Sequence, residues 1–305
     1  MKHPEQESLE TTRESAFDTS TPLAHEIHDL TQRRKAIASQ TFPLPAEPRV
    51  ITISNQKGGV GKTTTVVNLA AALCRGGARV LVIDLDPQGN ASTALGVEHR
   101  EGTPSVYDVL VGERELHEVI QRSPEAEDLF VIPATIDLAG AEIELVSMVA
   151  REQRLARALQ RFLSEFHADY VFIDCPPSLG LLTINAFVAA HEVLIPIQCE
   201  YYALEGLSQL LKNIQLIERH LNPTLRLSTI LLTMYDQRTN LAQQVAEDVR
   251  AHFPNEVLRT VIPRSVRISE APSYGQSVIR YDVNSTGSLS YLEAAAEIAQ
   301  RGVEK

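Results

Sequence analysis

Three glycines, two lysines and two threonines fall within nine positions, Gln56-Lys57-Gly58-Gly59-Val60-Gly61-Lys62-Thr63-Thr64, two residues after the apolar run Ile51-Thr52-Ile53. Glycines lack a Cβ, so the backbone can curl and aim successive N–H groups inward at an anion. The stretch Lys62–Arg75 reads as a helix, and its positive end faces the same point. This is the chemistry of a phosphate cradle, with Gly58, Gly59, Val60 and Gly61 as its backbone. It matches the tail of the pattern G-x-x-x-x-G-K-[ST], with Gln56 in place of the first glycine. Lys62 is expected between the β- and γ-phosphates, and Thr63 is expected to offer its hydroxyl to Mg²⁺. Thr64 adds a hydroxyl and an N–H near the α-phosphate. Lys57 is one lysine more than a cradle needs, and on spacing alone it is an ordinary solvated side chain.

Two carboxylates stand where such a cradle needs them. Val80-Leu81-Val82-Ile83 is a continuous apolar run, as expected of a parallel strand buried on both faces. Asp84 and Asp86 emerge at its end, inside Asp84-Leu85-Asp86-Pro87-Gln88-Gly89-Asn90. A carboxylate there can hold Mg²⁺ through water or orient the water that attacks the γ-phosphate. Asp84 is as readily a turn cap. Tyr170-Val171-Phe172-Ile173-Asp174 is a second apolar run ending in an acid, which aims one carboxylate at the outer shell of the metal. Pro176-Pro177-Ser178-Leu179-Gly180 follows as a stiff loop able to sense the γ-phosphate.

The elements that must position these groups alternate along the chain. Strands are expected at Val50–Ser54, Val80–Asp84, Leu129–Pro133, Tyr170–Asp174, Val193–Ile197, Leu227–Leu232 and Leu258–Ile262. Helices are expected at Glu142–Phe166, Leu204–His220, Leu241–His252 and Leu289–Arg301. That order predicts an α/β fold, a doubly wound, mostly parallel sheet with helices on both faces, in which ligands sit at the carboxyl ends of the strands.

The run Lys57–Thr64 resembles the deviant Walker A motif of the ParA/MinD class of ATPases. The likeness extends over about Arg49 to Arg301, through Asp84–Asn90, Thr233-Met234-Tyr235-Asp236-Gln237-Arg238-Thr239-Asn240-Leu241 and Ile262-Pro263-Arg264-Ser265-Val266-Arg267. The resemblance implies ATP/ADP and Mg²⁺ as cofactors. It implies that Lys57 reaches across a two-fold to the partner subunit's nucleotide, which makes ATP binding and homodimer formation one event. It makes Asp86 the hydrolytic residue, with Lys57 and Lys62 beside it, and Thr63, Asp86 and Asp174 the metal-side residues. It places adenine against backbone groups at Pro263 and Ser265, where the family commonly has Asn at the second position. Arg238 and Arg267 occupy positions of DNA-contacting arginines in the chromosomal ParA branch. The implied activity is slow, partner-stimulated ATP hydrolysis coupled to chromosome or plasmid segregation. The implied partners are nonspecific double-stranded DNA and a ParB-like centromere-binding protein.

Composition sets limits on this reading. The 305 residues carry a formal net charge of −11, the wrong sign for a generic nucleic-acid binder. Residues 235–282 hold six arginines against six acids, so DNA binding rests on the resemblance. Residues 1–48 carry eight acids against five bases, with prolines at 43, 45 and 48, and read as a largely disordered extension before a 49–305 ATPase domain. Within them, Thr21-Pro22 can cap a short helix in which Leu23, Ile27, Leu30 and Ile37 share a face. No apolar run reaches the length of a membrane span, and the start lacks a signal core, so a cytoplasmic protein is expected, and the resemblance implies association with the nucleoid. Cys74, Cys175 and Cys199 are isolated and suit reduced, buried thiols, with no pair to hold a cluster as in the nitrogenase iron protein. The alternative is a MinD-like membrane-cycling ATPase that positions the division site. Against it, Leu289–Lys305 carries three glutamates and reads as a packed terminal helix rather than a basic lipid anchor. A nucleotide-gated scaffold with vestigial hydrolysis is the non-enzymatic reading.

Overall fold

The computed structural model describes residues 22–201 and 203–303. It contains two compact units, one ending at Gln40 and one beginning at Thr41. In the first, Pro22–Ser39 form one helix, with Ile27 exposed. The cap expected at Thr21 and the segment 1–20 lie outside the described residues.

The second unit is built on eight strands: β1 (Arg49–Ile53), β2 (Val80–Asp84), β3 (Gln121–Arg122), β4 (Leu129–Ile132), β5 (Tyr170–Asp174), β6 (Glu192–Gln198), β7 (Arg226–Tyr235) and β8 (Val257–Pro263). They form one sheet in the order β3-β4-β2-β5-β1-β6-β7-β8. All pairings are parallel except that of β3 with β4. The seven longer strands match the apolar runs of the sequence. β3 has only two residues, Gln121 and Arg122, and no apolar pattern announces it.

Successive residues of a strand point to opposite faces, and both faces are covered. Leu81, Ile83, Val171 and Ile173 join a core with helices Val106–Val111, Arg154–Leu163 and Leu181–Ala189. The intervening Val80, Val82, Tyr170 and Phe172 are equally buried on the other face. There helices Lys62–Arg75 and Thr286–Val303 pack against each other.

One helix is not continuous as expected. Glu142–Phe166 divides into Leu138–Val146, a 3₁₀ turn at Arg151–Gln153, and Arg154–Leu163. Ala150 takes a left-handed φ of 53° at the break. The reason is tertiary: Asn185, on the neighbouring helix, donates to the Arg151 carbonyl at 2.8 Å and accepts from the Leu155 N–H at 3.2 Å. It thereby caps the second segment.

Both lateral ends of the sheet are closed. At β8, the Glu297 carboxylate accepts the N–H groups of Arg259 (2.9 Å) and Thr260 (3.2 Å). Arg301 donates to the carbonyls of Asn255, Glu256 and Val257 at 3.1, 2.9 and 2.8 Å. At the far side the sheet stops at the two-residue β3.

Candidate nucleotide site

The loop after β1 is pinned before it curls. Ser54 N–H donates to Leu194 O at 3.2 Å, and the Asn55 amide donates to Pro196 O at 2.8 Å, so β6 fixes the entry. Gly59 (φ 75°) and Gly61 (φ 89°) then take left-handed backbone that a side chain would strain. A Cβ built at Gly58 or Gly59 would meet no atom within 4 Å, so these positions face open space. Helix Lys62–Arg75 starts at Gly61 with no acidic residue in its first turn, leaving its positive end uncompensated by side chains. The Thr233 hydroxyl holds the loop from β7, donating to Val60 O at 2.8 Å.

The two lysines of the loop go different ways. Lys62 is buried, with Nζ donating to the Lys57 carbonyl at 3.3 Å. Burial lowers its pKa, against the opposing charges of Asp174, Cys175 and Asp86. Lys57 turns outward and pairs with Glu200 beyond β6, both side chains about half exposed.

The carboxylates at the ends of β2 and β5 are register partners, Asp84 opposite Asp174, and both are fully buried. Asp84 is saturated: it accepts from Ser92 N (2.8 Å), Ser92 Oγ (2.7 Å) and Asp86 N (3.2 Å). Burial still pushes it up to about 6. Its geometry is that of a brace for the loop from Asp86 to Ser92. Neither Asp174 oxygen has a hydrogen-bond partner. Burial, then the charge of Asp84, holds Asp174 well above the carboxylate range, with the Thr63 hydroxyl and Lys62 opposing. The carboxylate oxygens of Asp174, which accept no hydrogen bond, and the Thr63 hydroxyl are the hard oxygen donors that a divalent cation takes, while Lys62 is placed for phosphate rather than metal. Asp86 lies 8 % exposed at the cleft, its Oδ1 accepting from Gln88 N at 3.0 Å.

Gly58, Gly59, Gly61, Lys62, Thr63, Thr64 and Asp86 line one cleft of about 620 Å³ together with Pro177, whereas Lys57, Asp84 and Asp174 are not among its lining residues. A family model described as "AAA domain" matches residues 48–227. Soj, the sporulation initiation inhibitor protein of Bacillus subtilis, is 55 % identical over 254 residues, 83 % of this chain and 99 % of that protein. The chromosome partitioning protein ParA of Myxococcus xanthus is 52 % identical over 257 residues, 84 % and 90 % of the two chains. The chain belongs to the ParA/Soj family of the ParA/MinD type. The fold agrees: a crystal structure of cobyrinic acid a,c-diamide synthase from Mycobacterium smegmatis, with bound ADP and magnesium, matches with a TM-score of 0.70 and 41 % identity. That match covers 82 % of this chain and 93 % of the other.

Set against the ParA/Soj pattern, the remaining expected residues fall into two groups. Pro263 and Ser265 line a slot of about 250 Å³ that shares Gly61, Thr64 and Met234 with the main cleft. The slot is thus continuous with the cradle. Arg238 and Arg267 lie outside both cavities, after the carboxyl ends of the neighbouring strands β7 and β8. Each is held by acids. Arg238 makes a two-pronged pair with Asp236 at 2.9 Å on both arms, and its hydrogen bonds hold the Asp236 carboxyl at about 2. Arg267 pairs with Glu270 at 3.1 Å and Asp282 at 3.3 Å.

Sequence reasoning missed several residues of the site. Met234, with a left-handed φ of 50°, lines both cavities. Asn68 accepts from Val278 N at 2.7 Å and donates to Thr64 O at 2.7 Å, tying the cradle helix to the C-terminal segment. A non-glycine residue at positive φ leaves no local signal in the sequence, whereas a polar Asn68 within an otherwise apolar helix face was visible.

Proposed function

We propose that this chain is an ATPase that binds ATP and Mg²⁺, dimerises on ATP, holds nonspecific double-stranded DNA and drives chromosome or plasmid segregation with a ParB-like centromere-binding partner. The observation that carries the reading is the divergence of the two lysines. Lys62 serves this subunit's own cradle, while Lys57 stands outside it on an exposed pair with Glu200. An exposed ion pair is weak, so Lys57 is easily traded to the phosphates of a second subunit.

Within the site, the Gly58–Gly61 amides and Lys62 bind the phosphates, and Thr64 flanks the α-phosphate. The base lies in the slot at Pro263 and Ser265. Thr63 and Asp174 would hold Mg²⁺, with Asp86 at its water shell. The metal, when bound, spreads the charge that develops on the phosphoryl oxygens. Asp86 orients water for in-line attack on the γ-phosphorus; the bond to the bridging oxygen breaks and ADP leaves. Asp84 keeps the Asp86 loop in register.

DNA is assigned to Arg238 and Arg267. Each must exchange a carboxylate for a phosphate, so retention should be steeply salt dependent, with close to one unit of slope per phosphate neutralised. No helix among the described residues is long and apolar enough to cross a membrane. Helix Thr286–Val303 buries Leu289, Tyr291, Leu292 and Ile298 in the core, which supports a packed helix over a lipid anchor and a nucleoid location over a membrane one.

The test is DNA binding and sedimentation with ATP, ADP and no nucleotide across a salt series. Retention and a dimer only with ATP are expected. Equal retention with ADP, or ATP-dependent pelleting with liposomes instead of DNA, would refute the reading.

A further inference from the structure

The sheet has a notch at its amino edge, the edge opposite the cradle. β6 and β7 start together, with Glu192 opposite Arg226, but β8 joins β7 only where Val257 meets Ile230. Among the described residues, 226–229 thus have β6 on one side and no strand on the other. Residues 254–256, the end of helix Thr286–Val303 and residues 45–48 before β1 wall the space beside them. This cavity measures about 810 Å³, more than the nucleotide cleft, and falls within the range of small-ligand sites.

Charge decides what the notch can take. Its lining holds Arg49, Arg226, Arg259 and Arg301 against Glu47, Glu192 and Glu256, an excess of cations in a chain of net charge −11. Two of the arginines are fully engaged. Arg49 grips Glu192 with two arms and the Ile298 carbonyl with a third, and Arg301 donates to three carbonyls and to Glu297. Arg226 differs. Its Nη2 lies 3.7 Å from Glu192 Oε1, beyond hydrogen-bond reach, and its side chain is 51 % exposed. Glu192 is one buried carboxylate between two guanidinium groups and cannot neutralise both. His191 adjoins the loose guanidinium: its carbonyl accepts the Arg226 N–H at 3.0 Å, and it lines the same cavity.

A guanidinium without hydrogen bonds presents two parallel N–H donors, the fork that carboxylate and phosphate groups accept. The chain's own acids leave it open: Glu47 and Glu256 line the cavity and form no ion pair among the described residues. Their charge disfavours a bare anion on their side but accepts hydrogen bonds from hydroxyl or ammonium groups. We propose that the notch binds a small organic oxyanion, with its carboxylate or phosphate seated on Arg226 beside His191 and its hydroxyl or amino group facing Glu47 and Glu256. The cavity shares no lining residue with the nucleotide cleft or the slot beside it, so this ligand and ATP can be held together.

The experiment uses the full chain with Mg²⁺ and a saturating non-hydrolysable ATP analogue, so that the phosphate positions of the cradle are filled. Phosphoethanolamine, which joins a phosphate to an ammonium, and β-alanine, which joins a carboxylate to one, are titrated separately by calorimetry at constant ionic strength. Saturable binding of one molecule per chain is expected, and the tighter probe tells phosphate from carboxylate. Arg226→Gln should weaken it at least about tenfold, as loss of hydrogen bonds between charged groups does. Affinity for the analogue and the melt without probe should match wild type, since the Arg226 side chain is half exposed and Arg49 still holds Glu192. His191→Gln should weaken the probe a fewfold and keeps the test open if Arg226→Gln folds poorly. If neither probe binds saturably, or both variants bind it as wild type does, the inference is wrong.

Discussion

The two edges of the parallel sheet treat buried charge in opposite ways. At the amino edge, Arg49 of β1 and Glu192 of β6 form a two-pronged pair at 2.9 and 2.8 Å, with the third arm of Arg49 on the Ile298 carbonyl at 2.7 Å. Burial pushes Glu192 up, but the hydrogen bonds and charge of Arg49, helped by Ser228 and Arg226, outweigh it and leave the carboxyl below its ordinary range. At the carboxyl edge, Asp174 is more deeply buried and accepts no hydrogen bond, with only the nearby Thr63 hydroxyl and Lys62 charge opposing its burial. A satisfied buried charge is architecture; one left unsatisfied is held against its preference and waits for something outside the chain.

Four changes test that contrast, beginning with the largest effect. Asp86→Ala should lower ATP hydrolysis by on the order of 10²–10⁴-fold while nucleotide still binds, checked by phosphate release beside fluorescent-nucleotide titration. Hydrolysis at the wild-type rate would remove Asp86 from the chemistry. Arg49→Ala should destabilise folding by about 3–5 kcal/mol in urea, because buried Glu192 loses its two-pronged partner and keeps only Arg226 at 3.7 Å and Ser228, with nucleotide affinity in the surviving folded protein unchanged.

Asp174→Asn should do the reverse. The pKa of Asp174 is raised in the folded state, so the folded protein holds a proton that the unfolded chain gives up, and stability falls as pH rises from about 4 upward. The neutral variant escapes that loss. Its advantage over wild type without nucleotide should grow with pH, to roughly 1–3 kcal/mol, and vanish when Mg²⁺ and ATP are added. A constant difference across pH would mean that Asp174 is not the group held protonated. Last, Glu200→Gln frees Lys57 from an exposed pair worth about 0–1 kcal/mol and should strengthen the ATP dimer only a fewfold by sedimentation.

What the sequence made legible follows the same contrast. Strands buried on both faces must be continuous apolar runs, so β2 and β5 and the acids that end them stood out. The cradle did too, because left-handed turns at Gly59 and Gly61 demand residues that few other sites need. The sequence assigned Asp174 to the metal but left Asp84 open between the metal and a turn cap. Both close an apolar strand, and only the position of Ser92, eight residues on, makes one a brace and leaves the other bare. The exposure of Ile143 and Val146 on the helix Leu138–Val146 was hidden for a related reason. Read as part of one helix from Glu142 to Phe166, its apolar residues look like core, and the break at Ala150 depends on Asn185, which is 35 residues away in the chain. The Lys57–Glu200 pair spans 143 residues and leaves no local trace.

The closed ends of the sheet bear on how such a molecule can assemble and come apart. With Glu297 occupying the N–H groups of Arg259 and Thr260 in β8, and only two residues in β3, both borders are poor ladders for another chain to add a strand. Strand addition tends toward open-ended, tenacious fibres. With that route hindered, the dimer proposed above would rest on side chains and bound nucleotide, contacts that one hydrolysis event would undo.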